Sequence, residues 1–230
     1  MTALLIAAPP TDAVERRASD TIRAYSAEGD HRTATAVDRA SAGALLLRAR
    51  ATGAVASLEP FDLSRVDPAG AFAQIGALRI DGLPMFDGAF TEPRGVSGRI
   101  GPIDGDEPIA WTRIVPNGEA TLRTMRERSP HTAIIAVTMG GKPGLCPVNA
   151  GWFGEPFGPP VLQVSSDHLA ALESAASSRV NVRVVASATR VRAQAFNVVA
   201  EIQGARQDLA PVCVMTVSYT HLTLPTNREV

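Results

Sequence analysis

The spacing of apolar residues divides the chain into a helical beginning and a strand-rich remainder. Over residues 11–29 and 33–52 apolar side chains recur every three or four positions, which is the period of an amphipathic helix. Thr11 is placed to cap the first helix. Gly29 and Gly53 follow the two patterns, as glycine commonly does at helix C-termini. The pattern therefore predicts two N-terminal helices.

Short strand-like runs follow the second helix. The first is AVASLEPF (54–61), and residues 62–116 are rich in Gly, Pro and Asp. Within that stretch, residues 77–80, 95–100 and 109–111 have the composition of strands bounded by turns. This part of the chain is predicted to be β-rich with short connections.

The next segments alternate between helix and strand. Asn117 is predicted to cap a short helix that ends at Ser129-Pro130. The run TAIIAV (132–137) is apolar at every position, which is typical of a strand covered on both faces. The strand VLQVS (161–165) leads into a helix whose buried side is predicted to hold Leu169, Leu172 and Ala176.

The last segments are sheet-like: residues 180–194, FNVVAEIQG (196–204) and APVCVMT (210–216). In the last of these, Val212 and Val214 point one way and Cys213 and Met215 the other. Both sides are apolar, which favours a core strand covered on both faces. Taken together, the elements predict a mixed α+β chain.

Composition narrows the class of protein. The chain has 230 residues, a net charge of −1, 45% hydrophobic and 20% charged residues, which is typical of a globular protein with an ample core. The neutral charge argues against nucleic acid or an anionic membrane as partner. No apolar run approaches the roughly 20 residues of a membrane span. The N-terminus lacks the basic region of a signal peptide, which favours a cytoplasmic location.

The stretch SSDHL (165–169) holds the three residue types of a hydrolase triad. A triad is assembled in space, and neighbours on one helical turn rarely provide that geometry. Helix capping by Ser165, Ser166 or Asp167, with His168 exposed, explains the stretch better.

Three further stretches have a simple structural explanation. GGKPG (140–144) differs from a phosphate-binding loop, because Pro143 follows Lys142 and Ala136 stands where the first glycine is needed, so a turn is predicted. DGDE (104–107) lacks the ligand spacing of a calcium loop and is predicted to be a solvated turn. GWFGEPFGPP (151–160) is a lid or partner contact, or, more commonly, a loop held on its own sheet by Trp152 and Phe153.

The remaining metal-binding residue types are scattered. His31, His131 and His168 have no partner at metal-ligand spacing, and Cys146 and Cys213 lie in apolar surroundings typical of buried free thiols. No catalytic, cofactor-binding or metal-binding residue is therefore predicted before Thr216.

Two stretches resemble parts of a known enzyme family. GPPVLQVSSDHLAALESA (158–175) resembles the end of a protease-associated domain. FNVVAEIQG (196–204) resembles the segment by which zinc aminopeptidases of the co-catalytic di-zinc family enter their catalytic sheet. The order of the elements is similar as well, over most of residues 10–216.

The resemblance implies a domain plan. Residues 1–61 are expected to be the opening helices and first strand of a peptidase domain, and 62–180 a protease-associated-like β-rich insert. Residues 181–216 are then expected to begin the catalytic sheet of an α/β zinc-peptidase domain that is incomplete here. By this resemblance the parent protein hydrolyses a peptide or small acyl-amide bond with two zinc ions; the alternative is a non-catalytic peptide- or partner-binding module.

The family's first zinc ligand, a His followed two residues later by Asp, is expected just beyond Thr216. Here His221 is followed by Thr223, and Met215-Thr216 replace the family's small Gly-Ala pair. The stretch Val217–Val230 resembles one translated frame of a sequencing adapter, so we expect it to lie outside the fold. The alternative is a genuine C-terminal tail. No zinc is expected to bind this chain itself.

Overall fold

The structure is a computed structural model that describes residues 11–115, 118–148, 150–152, 154–206 and 208–215. Asn117 and the tail from residue 216 onward lie outside these ranges. The described helices are α1 (Thr11–Ala27), α2 (Ala36–Ala51), α3 (Glu119–Glu127) and α4 (Leu169–Ser177). The strands are β1 (Val55–Ile75), β2 (Leu78–Pro84), β3 (Val96–Pro102), β4 (Ile109–Ile114), β5 (Ala133–Thr138), β6 (Val161–Ser165) and β7 (Asn181–Glu201). The mixed α+β class predicted from the sequence is confirmed.

The strands form a closed barrel in the order β1-β2-β6-β5-β4-β3-β7. The central part is parallel: β3 with β4, β4 with β5, and β5 with β6. The flanking pairs β1-β2, β2-β6 and β3-β7 are antiparallel. The barrel is therefore mixed, and its parallel part requires crossover connections. The connection from β4 to β5 contains α3, and the connection from β5 to β6 runs between Thr138 and Val161.

Strand β5 lies at the centre of the core because all six of its residues are buried. Successive side chains of a strand point to opposite faces, and here they enter two different apolar clusters. Ile135 and Val137 pack in the cluster that contains Leu172 of α4, whereas Ile134 packs in the cluster that contains Leu122 of α3. The prediction of a strand covered on both faces is confirmed.

Local sequence explains how helix α2 begins and ends. The Thr35 hydroxyl accepts a hydrogen bond from the backbone N–H of Asp38 at 3.3 Å, and the Asp38 carboxylate accepts one from the backbone N–H of Ala34 at 2.8 Å. These bonds satisfy donors that a helix start leaves unpaired. Gly53 follows the helix with a φ of +86°, a left-handed conformation that glycine adopts without strain.

The described residues form two compact units. One contains residues 11–63 and 193–215, and the other residues 64–192. Nearly all of the buried apolar core belongs to the second unit; in the first unit the buried apolar residues are Ala54, Ala56 and Ala195. No helix in the described ranges combines the length and apolar character needed to cross a bilayer.

Helices α1 and α2 form as predicted, but their apolar faces are not buried. In α1, Val14 and Ile22 are exposed, and α2 has no buried residue; Leu47 is 66% exposed. The period of 3.6 residues sets which side chains share a face, but it does not supply an element for that face to pack on.

Two sequence predictions are corrected by the structure, one for the last apolar segment and one for the cysteines. Residues 180–194 and 196–204 are sheet-like as predicted, and a single strand, β7, runs through most of both. The described part of APVCVMT is not a strand, and Val212, Val214 and Met215 are each about nine-tenths exposed. Cys213 is exposed and Cys146 half-buried; both are free thiols, but neither is buried as expected. An apolar sequence does not form a strand without a neighbouring strand to pair with.

Candidate functional site

The most unusual buried group in the described chain is an arginine. Arg126 follows Leu122 by one helical turn on the buried side of α3, so its side chain enters the interior and is 1% exposed. There its Nη1 donates a hydrogen bond to Oδ1 of Asp87 at 2.7 Å, and the carboxylate is 2% exposed. A buried charge needs such a partner, because burial removes its hydration.

The rest of the Arg126 guanidinium holds the loop that follows Gly151. Nη2 donates to the backbone carbonyl of Asp87 at 3.0 Å and to that of Phe157 at 2.8 Å. The Phe157 ring centroid lies 4.1 Å from Cζ of Arg126, which is a cation–π distance. Nε is buried and has no hydrogen-bond acceptor among the described residues. One N–H of the buried guanidinium is therefore unsatisfied, which is unfavourable.

Asp87 anchors the same loop with its second carboxylate oxygen. Oδ2 accepts hydrogen bonds from the backbone N–H groups of Gly151 and Trp152, at 3.1 and 3.2 Å. The backbone N–H of Phe157 in turn donates to the Asp87 carbonyl at 3.0 Å. The aromatic loop is thus held by a buried ion pair. That Trp152 and Phe153 also hold it, or that it is a lid or partner contact, stays a prediction. Phe153 lies outside the described residues.

A second arginine fixes the segment around Asp87. Nη2 of Arg190 donates to the backbone carbonyls of Phe86 and Gly88, at 3.1 and 2.8 Å, and its Cζ lies 4.3 Å from the Phe90 ring centroid. Burial lowers the pKa of the Arg190 guanidinium below its ordinary value, and the nearby Asp87 carboxylate opposes that shift. Asp87 is therefore positioned through its neighbours' carbonyl groups as well as through its own side chain.

A cavity of about 220 Å³ opens beside this ion pair. Helix α3 contributes Glu119, Arg123 and Arg126, which share one helical face because they are spaced i, i+4 and i+7. The other lining residues are Met85, Asp87, Ala120, Gly151 and Trp152. The Trp152 ring lies 4.1 Å from Cζ of Arg123 and is the large aromatic surface of the cavity. The arrangement is a small cleft with apolar lining and several charged groups, which is suited to binding.

In SSDHL, Ser165 caps a short 3₁₀ turn, Ser166–His168, that leads into α4. The Ser165 hydroxyl accepts a hydrogen bond from the backbone N–H of Asp167 at 3.1 Å and donates to the Asp167 carboxylate at 2.7 Å. The hydroxyl is directed to the carboxylate and not to an imidazole, so this is not a nucleophile–base pair. The capping interpretation is confirmed, although His168 is partly buried and not exposed as expected.

His31 connects the first two helices. Its Nε2 lies 2.7 Å from the Tyr25 carbonyl oxygen, its Nδ1 lies 2.9 Å from the Ser41 hydroxyl, and its ring stacks on the Tyr25 ring at 3.6 Å. Both ring nitrogens are engaged within the protein. The residue is therefore structural and does not present a free nitrogen to a metal ion.

His131 and the DGDE turn form a second structural cluster. Both ring nitrogens of buried His131 face backbone carbonyl oxygens, those of Glu107 at 2.7 Å and Ile103 at 3.0 Å. The Glu107 carboxylate is 14% exposed and lies 3.3 Å from Arg99 and 3.6 Å from Arg179. The turn is solvated at Asp104 and Asp106, as expected, whereas its last carboxylate, that of Glu107, is largely buried and neutralised by two arginines.

No metal site is built by the part of the chain that the structure describes. It contains no group of three or more His, Cys, Asp or Glu side chains placed to hold one ion. The GGKPG stretch is a sequence of bends, as predicted, with Gly144 in a left-handed conformation. The expectation that this chain itself binds no zinc stays a prediction.

Asp87, Arg126 and Arg190 were not predicted from the sequence. One signal was available for Arg126: it lies four residues after Leu122, so a charged residue shares a helical face with an apolar one. Asp87 gave no signal, because Asp before Gly is also the ordinary composition of a turn. Its function depends on residues 39 to 65 positions away in the sequence.

Comparison with known proteins identifies the fold. No protein-family model and no curated protein sequence matches the chain. Solved structures do match. BSAP, a zinc aminopeptidase from Bacillus subtilis, is similar with a TM-score of 0.57 and 16% identity over 76% of this chain and 44% of its own. The peptidase M28 precursor from Shewanella amazonensis is similar with a TM-score of 0.64 and 13% identity, over 81% and 50%.

The aminopeptidase from Aneurinibacillus sp. strain AM-1 is similar with a TM-score of 0.55 and 14% identity, over 82% of this chain and 48% of its own. The chain has part of the fold of these three peptidases. It spans about half the length of the solved structures that it matches. The resemblance inferred from FNVVAEIQG and the order of elements is confirmed at the level of the fold, whereas the protease-associated-like insert and the origin of the tail remain predictions.

Proposed function

We propose that this chain is a non-catalytic portion of a zinc-dependent exopeptidase-like hydrolase that acts on peptides or small acyl-amides. The observation that carries the proposal is the fold: two aminopeptidase structures and one peptidase structure match 76–82% of this chain, and the match accounts for 44–50% of their own chains. Peptide substrates are taken from those proteins' names, and acyl-amides and the two-zinc requirement from the family that the sequence resembles.

The described residues do not fit a zinc site, so no chemical step is assigned to them. A structural or catalytic zinc site needs three or four closely placed His, Cys or carboxylate ligands. The described chain has no such group, and both nitrogens of His31 and of His131 are hydrogen-bonded within the protein. In this proposal the metal ligands belong to sequence other than the described residues.

Within this non-catalytic portion, we infer that residues 62–180 are a protease-associated-like module that supports the catalytic domain without supplying its reacting groups. Support comes from the compact unit 64–192, which contains both apolar clusters. The ion pair of Arg126 and Asp87 fixes the aromatic loop on that unit. Such a module can place a rigid loop beside a substrate without taking part in the chemistry.

A second candidate function is binding of a peptide or a partner protein without catalysis. It is favoured by Trp152, which is 43% exposed although its backbone is held firmly by Asp87. A preorganised, exposed aromatic side chain loses little conformational freedom on binding, which makes it an effective contact residue.

The test is a comparison between this chain and a longer protein that carries it. The longer protein is expected to retain zinc after dialysis and to cleave an aminoacyl-anilide, with loss of cleavage on chelation and recovery with zinc. A longer protein that retains no zinc and cleaves neither an aminoacyl-anilide nor an acyl-amide overturns the hydrolase proposal and leaves the binding candidate.

A further inference from the structure

The cavity beside α3 has an unusual set of unpaired charged groups. Within the described chain, the Glu119 carboxylate has no hydrogen-bond or ion-pair partner, although it lines the cavity. A Glu and an Arg at positions i and i+4 of a helix ordinarily pair. Here Arg123 instead donates from Nε to Oε1 of Glu127 at 2.6 Å and lies over Trp152, so Glu119 is left open.

The N–H donors of Arg123, on the same face of α3 as Glu119, are also incompletely used. The contact made by Arg123 to Glu127 takes only its Nε, which leaves the terminal nitrogens without a partner among the described residues. Arg126 lines the same cavity, but its unsatisfied Nε–H is buried and is not accessible to a ligand. The terminal N–H groups of Arg123 are therefore the donors that the cavity offers to a ligand.

Asp87 does not neutralise these donors further. Its Oδ1 accepts from Arg126, and its Oδ2 accepts from the two backbone N–H groups of Gly151 and Trp152. The cavity therefore offers one free carboxylate, the unused terminal donors of Arg123 one helical turn away, and an apolar surface from Met85, Ala120 and Trp152.

We propose that this cavity binds a small zwitterion, a free α-amino acid or a dipeptide with an apolar side chain. The ligand's ammonium group would be bound by Glu119 and its carboxylate by the terminal nitrogens of Arg123. The apolar side chain would contact Trp152 and Met85. The volume of 220 Å³ lies below the range of about 300–1,000 Å³ for drug-sized ligands, so the ligand is small. The proposal names a ligand class for the second candidate function, binding without catalysis. It rests on that function and not on the proposed hydrolase activity.

The experiment titrates the chain with L-leucine by calorimetry or by ligand-observed NMR. Two analogues each lack one charge: 4-methylpentanoate has no ammonium group and 3-methylbutylamine has no carboxylate. Leucine is expected to bind with a Kd of the order of 1 mM or tighter and each analogue about tenfold or more weakly, because each loses a charge-assisted hydrogen bond.

Variants assign each charge to its residue. Glu119→Gln is expected to weaken leucine about tenfold and leave 4-methylpentanoate unchanged, whereas Arg123→Gln weakens leucine and leaves 3-methylbutylamine unchanged. Arg128→Gln is the matched control. Arg128 directly follows α3, is exposed and does not line the cavity, so its substitution is expected to leave leucine binding unchanged.

Three results overturn the proposal. The first is the absence of saturable leucine binding. The second is leucine binding of equal strength in all three variants. The third is binding of a blocked peptide, acetylated and amidated so that it carries no terminal charges, without binding of leucine. That third result refutes the zwitterion and leaves the binding candidate intact, and none of the three bears on zinc or on hydrolysis.

Discussion

At the scale of single residues, the position of the aromatic loop depends on a buried ion pair. Arg126 and Asp87 are 1% and 2% exposed, and together they hold the aromatic loop through three backbone N–H and carbonyl groups. Both charges are satisfied largely by each other and by the backbone, so removal of one leaves the other buried and uncompensated.

Asp87→Asn is therefore expected to lower the free energy of unfolding by about 3–5 kcal/mol. The matched control is Asp81→Asn, which breaks the exposed ion pair with Arg79, where the side chains are 53% and 74% exposed. Screening by water limits that loss to about 1 kcal/mol or less. Urea unfolding of the two variants measures both values, and equal losses would contradict the assigned role of Asp87.

Backbone geometry at Gly95 permits a second prediction for one residue. Gly95 has a φ of +75°, and a Cβ there would lie 2.4 Å from the Val184 carbonyl oxygen of β7. Gly95→Ala is expected to cost at least about 1–3 kcal/mol, the strain of a left-handed non-glycine residue, and more because of the clash.

Gly141→Ala is the control for that substitution, because a Cβ at Gly141 meets nothing within 4 Å. It is expected to leave stability unchanged or raise it by up to about 1 kcal/mol. Thermal unfolding distinguishes the two, and a Gly95→Ala protein as stable as the parent chain would refute the close approach of residue 95 to β7.

At the scale of elements, burial and not helical period decides what a side chain contributes. Leu172 of α4 is completely buried against the barrel, whereas Leu47 of α2 is 66% exposed. Leu172→Ala is expected to cost about 2–5 kcal/mol through lost burial and a cavity. Leu47→Ala is expected to change stability by about 0.5 kcal/mol or less. Chemical denaturation measures both, and a large loss for Leu47→Ala would show that α2 packs on a surface in this chain.

The sequence predicted elements better than it predicted their partners. The period of α4, the cap at Ser165 on the 3₁₀ turn that leads into α4, and the apolar run of β5 are local signals, and all three were confirmed. The ion pair of Arg126 and Asp87 was not predicted, because the two residues are 39 positions apart and only the fold brings them together. The strand expected in residues 210–216 is absent from their described part, 210–215, for the opposite reason: its sequence was suitable, but no strand of the described chain pairs with it.

At the scale of the whole molecule, the apolar surface is unevenly distributed. The unit of residues 64–192 contains both apolar clusters, whereas the unit of residues 11–63 and 193–215 exposes many of its large apolar side chains. Four strongly exposed ones lie near the end of the described chain in sequence: Ile202, Val212, Val214 and Met215. Exposed apolar surface of this kind promotes association.

The chain is therefore expected to associate with itself and to bind an apolar dye. Changing Ile202, Val212, Val214 and Met215 together to serine removes that surface and is expected to lower both association and dye binding. Light scattering and dye fluorescence on the two proteins provide the measurement. A monodisperse monomer without dye binding, before any substitution, would contradict the account of this unit.

The central claim is that the described chain has part of an aminopeptidase fold without the metal ligands of the active site. The most direct measurement is the zinc content of the purified chain after saturation with zinc and dialysis, with aminoacyl-anilide cleavage measured on the same sample. The account predicts zinc well below one ion per chain and no cleavage above the uncatalysed rate, because the described residues form no ligand cluster. Zinc retained at one or two ions per chain, together with cleavage that a chelator abolishes, would contradict it.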